Sequence, residues 1–241
     1  METITKFWGE LRLEGDKILL RNESDNYDPL PQEYFLLGSW HDGMRAFRLK
    51  CGNSLRWGYF IENSDDIIPP MYKEARPFLD GLAPVCLEDT GLWGFIDKNN
   101  NMVINPKYEN AFPITEGMAR VLINGKWGYI NKDGKNVIKP MFDQARPFSY
   151  GFAAVKQGEL WGYIDKKGNW MKKPQYIEAT NFESHPVLDD TFPEIVLEEN
   201  IWAKVSYEEN IAESHYLTIL FAPRGKKDMI VEMECPKNEE G

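Results

Sequence analysis

The residues of this chain that could do chemistry are few and scattered. Its three histidines, His41, His185 and His215, have no Cys, His or carboxylate at metal-ligand spacing on one element. Cys51, Cys86 and Cys235 are odd in number and widely spaced, which argues against a disulfide framework or a cysteine zinc site. No phosphate loop, dinucleotide fingerprint or nucleophile elbow occurs. Nothing pairs a serine with a histidine as nucleophile and base. The one enzymatic arrangement to weigh is His215, Glu208 and Cys235 near the C-terminus. Asp97, Asp133 and Asp165 sit in turns and invite a calcium reading, but calcium wants a dense acidic loop. Lys98, Lys132 and Lys166 stand beside them, so turn geometry is the expected role. No catalytic residue, metal ligand or cofactor is assigned.

The aromatic residues are ordered instead. Trp-Gly occurs at Trp57-Gly58, Trp93-Gly94, Trp127-Gly128 and Trp161-Gly162, spaced by 36, 34 and 34 residues. An aromatic pair or aromatic–isoleucine pair follows each: Tyr59-Phe60, Phe95-Ile96, Tyr129-Ile130, Tyr163-Ile164. Then come a polar turn, a short apolar pair, a proline (Pro70, Pro106, Pro140, Pro174) and an aromatic two residues on. An Ala-x-x segment closes each copy: Ala75-Arg76-Pro77-Phe78, Ala111-Phe112-Pro113-Ile114, Ala145-Arg146-Pro147-Phe148, Ala179-Thr180-Asn181-Phe182. Looser copies reach upstream. Gly43–Phe47 precedes Trp57 as later glycine stretches precede their tryptophans, and Pro31–Tyr34 resembles Pro106–Tyr108. Trp8-Gly9 is a candidate first copy, with residues 23–28 as an insertion.

Lys126–Ile130, Lys132-Asp133-Gly134 and Ala145–Phe148 closely resemble the unit of the bacterial WG-repeat family. The resemblance is strong over residues 57–184, weak over 8–56 and absent from 185–241. It implies a β-repeat domain. The family carries no shared enzymatic activity or catalytic residue to transfer.

Physically the unit reads as three short strands, for example Ala119–Ile123, Lys126–Asn131 and Asn136–Lys139. Asn124-Gly125 supplies the positive φ angles of a two-residue hairpin turn. Pro140 is expected to stop the third strand, because it lacks an N–H donor. The glycine after each tryptophan is expected to avoid collision with a neighbouring unit. The tryptophans are expected to be buried where hairpins join, each covering about 150–250 Å². The tyrosines could present their tips to solvent. Exposed instead, the same aromatics would make a sugar- or choline-stacking surface. The fold expected is all-β: a tandem array of three-stranded β-meander repeats, as an open curved solenoid or a small propeller-like ring.

An array needs caps at its ends. Leu11, Leu13, Ile18 and Leu20 frame a hairpin around Glu14-Gly15-Asp16. Residues 185–241 read as a C-terminal β cap with strands Glu194–Leu197, Trp202–Tyr207, Tyr216–Ala222 and Met229–Cys235. Three regions follow: a degenerate repeat or cap over 1–56, the array over 57–184, and an acidic segment over 185–241. The last carries 5 Lys+Arg against 13 Asp+Glu, so most of the net charge of −10 lies there. Such a balance argues against nucleic-acid phosphates as partner. No apolar run approaches the roughly 20 residues of a membrane helix, and no secretory leader is evident. A cytoplasmic location is expected, or a surface or periplasmic one if a leader has been removed. The expected function is protein binding, of an inhibitor or immunity type, toward a basic partner. Arg76 and Arg146, at one repeat position, and the pairs Asp189-Asp190, Glu198-Glu199 and Glu208-Glu209 are the candidate contacts. A salt bridge between repeats is the competing role for the arginines. Glycan recognition through the aromatic ladder is the alternative function.

Overall fold

The computed structural model describes residues 11–22, 24–51 and 53–181 in full, and 183–184, 201–206 and 217–221 as backbone. Among them there is no α-helix; a single 3-10 turn occupies Gln32–Tyr34. That turn replaces the copy of the proline strand expected at Pro31–Tyr34. The chain forms two compact units, Met1–Asn124 with Asn131–Lys135, and Gly125–Ile130 with Asn136–Gly241.

The first unit opens with an antiparallel sheet of β1 (Leu11–Glu14), β2 (Lys17–Arg21) and β3 (Tyr27–Pro29). Leu11 pairs with Leu20 and Leu13 with Ile18 around the turn at Gly15, whose φ is +59°. The next sheet runs in chain order through β4 (Phe35–His41), β5 (Met44–Cys51), β6 (Ser54–Ile61) and β7 (Ile67–Tyr72). A third holds β8 (Glu74–Ala75), β9 (Ala83–Cys86), β10 (Trp93–Ile96) and β11 (Met102–Tyr108). Then β12 (Asn110–Ala111) pairs with β13 (Ala119–Ile123). One core packs Leu11, Ile18, Phe35, Phe47, Leu49 and Phe60; another gathers Tyr59, Ile68, Tyr72, Phe78, Val85 and Ile96.

In the second unit β14 (Lys126–Ile130) pairs with β15 (Asn136–Phe142). A sheet follows of β16 (Gln144–Ala145), β17 (Phe152–Gln157), β18 (Leu160–Asp165) and β19 (Trp170–Tyr176). Of the four strands expected after residue 185, two are described. β22 (Ile201–Ser206) pairs with β20 (Glu178–Ala179), β21 (Glu183–Ser184) and β23 (Leu217–Phe221). Glu194–Leu197 and Met229–Cys235 lie outside the described residues, as does Trp8-Gly9.

The architecture is therefore a tandem run of small antiparallel sheets. Each complete repeat sheet has four strands rather than three. In the sheets β8–β11 and β16–β19 the extra one is the two-residue strand made by the Ala-x-x segment, which pairs through its alanine: Ala75 with Val85 and Ala145 with Val155.

The proline does not end its strand. β15 runs through Pro140 to Phe142, and β7, β11 and β19 likewise contain Pro70, Pro106 and Pro174. The ladder absorbs the missing donor by bulging. Trp127 faces Phe142 and Tyr129 faces Ile138, so residues 139–141 oppose Gly128 alone. That bulge folds the proline over the glycine. A Cβ on Gly128 would lie 2.6 Å from the Pro140 nitrogen and 2.7 Å from the Ile138 carbonyl oxygen. The same backbone groups crowd Gly94 at 2.6 and 2.9 Å and Gly162 at 2.6 and 2.8 Å. The glycine thus avoids its own partner strand, not a neighbouring unit. Because the bulge shifts the register, Tyr129 and Ile130 are both buried instead of alternating.

Candidate functional site

The four repeats turn one set of residues inward. Tyr59, Phe95, Tyr129 and Tyr163 are all essentially inaccessible. Their phenols are not at the surface. Tyr59 Oη donates to the Arg76 carbonyl at 2.8 Å, Tyr129 Oη to the Arg146 carbonyl at 2.7 Å, and Tyr163 Oη to the Thr180 carbonyl at 3.0 Å. Each bond closes the repeat on itself across 17 residues and satisfies a carbonyl that folding takes from water. Burial pushes the Tyr59 and Tyr163 phenols well above their ordinary pKa. Tyr59 meets Phe78 edge-on at 4.8 Å, and Tyr129 meets Phe148 at 4.7 Å. The tryptophans are less uniform: Trp93 and Trp161 are buried, whereas Trp57 and Trp127 are half-buried. No ladder of exposed repeat aromatics results.

Arg76 and Arg146 occupy matching places, and rings rather than carboxylates receive them. The Arg76 guanidinium lies 4.3 Å from the Trp93 ring centre and 3.5 Å from that of Phe112. It also donates to the Ala111 carbonyl. Arg146 stacks on Trp161 at 5.1 Å. Loss of hydration, helped by Arg120 on the far side of Phe112, pulls the Arg76 pKa down to about 10. It stays charged at neutral pH. Each arginine bridges its own Ala-x-x segment to the following tryptophan, a cation–π joint in place of the expected salt bridge. Asp189, Asp190, Glu198, Glu199, Glu208 and Glu209 lie outside the described residues, as do His185, His215 and Cys235.

The turn acids divide. Asp97 Oδ1 accepts the amides of Asn99 and Asn101 at 2.9 and 2.8 Å, and Asp165 Oδ1 those of Lys167 and Asn169 at 2.8 and 2.9 Å. In the third repeat this work falls to Asn131, which accepts from Asp133 and Lys135 at 3.1 and 3.0 Å. Asp133 is therefore not the counterpart of Asp97. These carboxylates are spent on closing turns. Among the described residues no three of His, Cys, Asp and Glu gather as a metal site. His41 ends β4, half-buried.

What the repeats turn outward differs from copy to copy. The residue after each bulge proline is Met71, Lys107, Met141 or Gln175. Met71 is 52% exposed and Met141 48%. Immediately before the residues that supply the bulge carbonyls, Ile104 and Ile138, Val103 and Val137 are 47% and 44% exposed at matching positions of β11 and β15. Sequence reasoning passed over the two methionines, because it took the proline as the end of the strand; the two valines it read as strand residues without assigning them a face. The signal was present in the alternation of residue type after each Pro.

Four consecutive segments, 57–90, 93–127, 127–161 and 161–185, match the family model described as WG containing repeat. Together they span just over half of the chain. No curated protein matches it. Among the described residues no helix is long and apolar enough to cross a membrane.

Proposed function

The chain belongs to the WG-repeat family, and from that premise we propose that it is a non-catalytic binding module that engages a protein partner. The observation that carries the reading is the exposure of Met71 and Met141 at one repeat position. The buried positions keep aromatic or aliphatic residues from copy to copy, while this outward position varies as Met71, Lys107, Met141 and Gln175 and presents an exposed methionine in two of the four copies. Methionine is flexible and polarisable, and it suits contact surfaces that must adapt to a partner. A rigid scaffold that varies only its outward residues is how repeat arrays tune recognition.

The finer proposal is an inhibitor or immunity role toward a partner with a basic surface. The net −8 of residues 185–241 supports it, since a single-signed field steers an oppositely charged protein. Affinity capture from the native host tests both levels. The wild-type chain should retain a protein that Met71→Glu or Met141→Glu loses, with melting temperatures unchanged. That retention should weaken as salt is raised. A partner held equally by both variants would contradict the binding reading. Salt-insensitive retention would contradict only the basic-partner version.

A further inference from the structure

The tryptophans of the four Trp-Gly pairs are buried or half-buried, but a tryptophan outside them is exposed. Trp40, near the end of edge strand β4, is 40% exposed. It lines a cavity of about 340 Å³ between the first two sheets of the first unit. Leu11 and Phe60 line its apolar side; Arg12, Asn63 and Asp65 supply polar groups. The size lies at the lower end of the range of small-molecule sites, about 300–1,000 Å³.

The platform is braced. The Arg45 guanidinium lies 5.9 Å from the Trp40 ring centre. Arg45 is itself anchored to the Gly38 carbonyl at 2.8 Å, the Gly15 carbonyl at 3.2 Å and the Asp16 carboxylate at 2.7 Å. An exposed indole held by an arginine with three anchors spends no further ordering entropy when it meets a ligand. The rim is electrically balanced. Arg12 pairs with Asp65 at 3.3 Å, and Arg45 with Asp16, so no net charge of either sign faces the opening. The Asn63 side chain forms no hydrogen bond among the described residues and sits in a turn with φ +57°.

From an exposed indole, planar amide, carboxylate and guanidinium groups beside it, and no net charge, we propose that this groove binds a neutral pyranoside. The apolar C–H face of the sugar ring stacks on Trp40. Its vicinal hydroxyls bridge Asp65, Arg12 and Asn63, each of which offers paired polar atoms at the spacing of two adjacent hydroxyls. Neither a phosphate nor a cation gains from a rim whose charges are already neutralised. This site is independent of the protein-binding reading, because it uses no residue of the outward repeat positions.

Saturation-transfer NMR on the full chain tests it, with maltotriose, cellotriose and chitotriose as probes and adenosine as a stacking control. At least one trisaccharide should receive saturation on its ring C–H protons, with a millimolar Kd. Trp40→Ala should abolish it. Asp65→Ala, at an exposed side chain, should weaken it about tenfold, the equivalent of one charge-assisted hydrogen bond. Met71→Glu should leave it untouched. Silence from all three sugars, transfer that survives Trp40→Ala, or binding of adenosine alone would overturn the proposal.

Discussion

The first and second repeats of the first unit solve one packing problem with different atoms. In the first, Tyr59 reaches the Arg76 carbonyl with its hydroxyl and meets Phe78 with its ring edge. In the second, Phe95 has no hydroxyl to donate, Phe112 stands where the arginine was, and Ile114 replaces the phenylalanine. The second repeat compensates with charge against rings. Arg120 comes up from β13 to lie 3.7 Å from the Phe112 ring centre, opposite Arg76 at 3.5 Å. Volume and burial are kept, while the hydrogen bond is exchanged for cation–π contact. What cannot be exchanged is the glycine under the bulge, which is common to both.

That ranking sets the size of the expected effects. The largest belongs to the glycine. Gly94→Ala should destabilise by about 3 kcal/mol, because the new methyl meets backbone on two sides and neither can yield. Gly117→Ala in the same unit, with nothing within 4 Å and φ +82°, should cost only about 1 kcal/mol from backbone strain. Thermal unfolding of the two variants checks the contrast. Equal losses would mean that the bulge yields.

Next comes the latch. Tyr59→Phe should cost about 1–2 kcal/mol, because the Arg76 carbonyl is left without its donor in a buried place. Phe95→Tyr should be neutral or mildly stabilising, by supplying the second repeat with the hydroxyl it lacks. If both changes are neutral, the hydroxyl bond contributes nothing and the ring alone matters. Below this stands the arginine. Arg76→Ala should cost about 1–2 kcal/mol, since its charge lies against two rings and is largely desolvated. Arg146→Ala, against one ring at 5.1 Å, should cost less.

Much of this was legible in the sequence, for physical reasons. Spacing alone places the hairpins, because a repeat that cannot bury its own face must copy itself. Asn124-Gly125 read as a two-residue turn, and their φ angles of +50° and +70° agree. The leucine hairpin around Gly15 is also present as read. What the sequence hid was the third dimension of the bulge. A proline seen in isolation is a strand terminator, yet three residues opposing one glycine let β15 carry Pro140 at the sheet edge. The error propagated: with the strand stopped early, Met71 and Met141 were not seen as outward residues. The indoles were read as the core marker, whereas the residue two places on is the more deeply buried. Trp40 was missed altogether, since it belongs to no repeat and its groove is made by strands distant in sequence.

The smallest expected effect separates two turns of the same unit. Hydrogen bonds from Asn101 and Asn99 hold the Asp97 carboxyl below its ordinary pKa. A depressed carboxylate stabilises above its unfolded value, about 3.9, and loses that contribution as pH falls through the lower folded value. The turn at 97–101 should therefore open in acid. The turn at 131–135 is closed on the amide oxygen of Asn131, which does not titrate, and the carboxylate contact within it, from Asn131 to Asp133, is long at 3.3 Å, so it should respond less. Amide exchange of Asn101 and Lys135 between pH 5 and pH 3 would show the divergence, at about the window those values set.

The central claim is that the repeats keep their interior for stability and their outward positions for a protein partner. A photo-crosslinking residue placed in turn at Met71, at Met141 and, as a control, at Gly158 in the exposed turn between β17 and β18 tests it in the native host. The account predicts adducts with one and the same protein from 71 and 141, and none from 158. Adducts from 158 alone, or none from 71 and 141 while the partner is still captured, would contradict it.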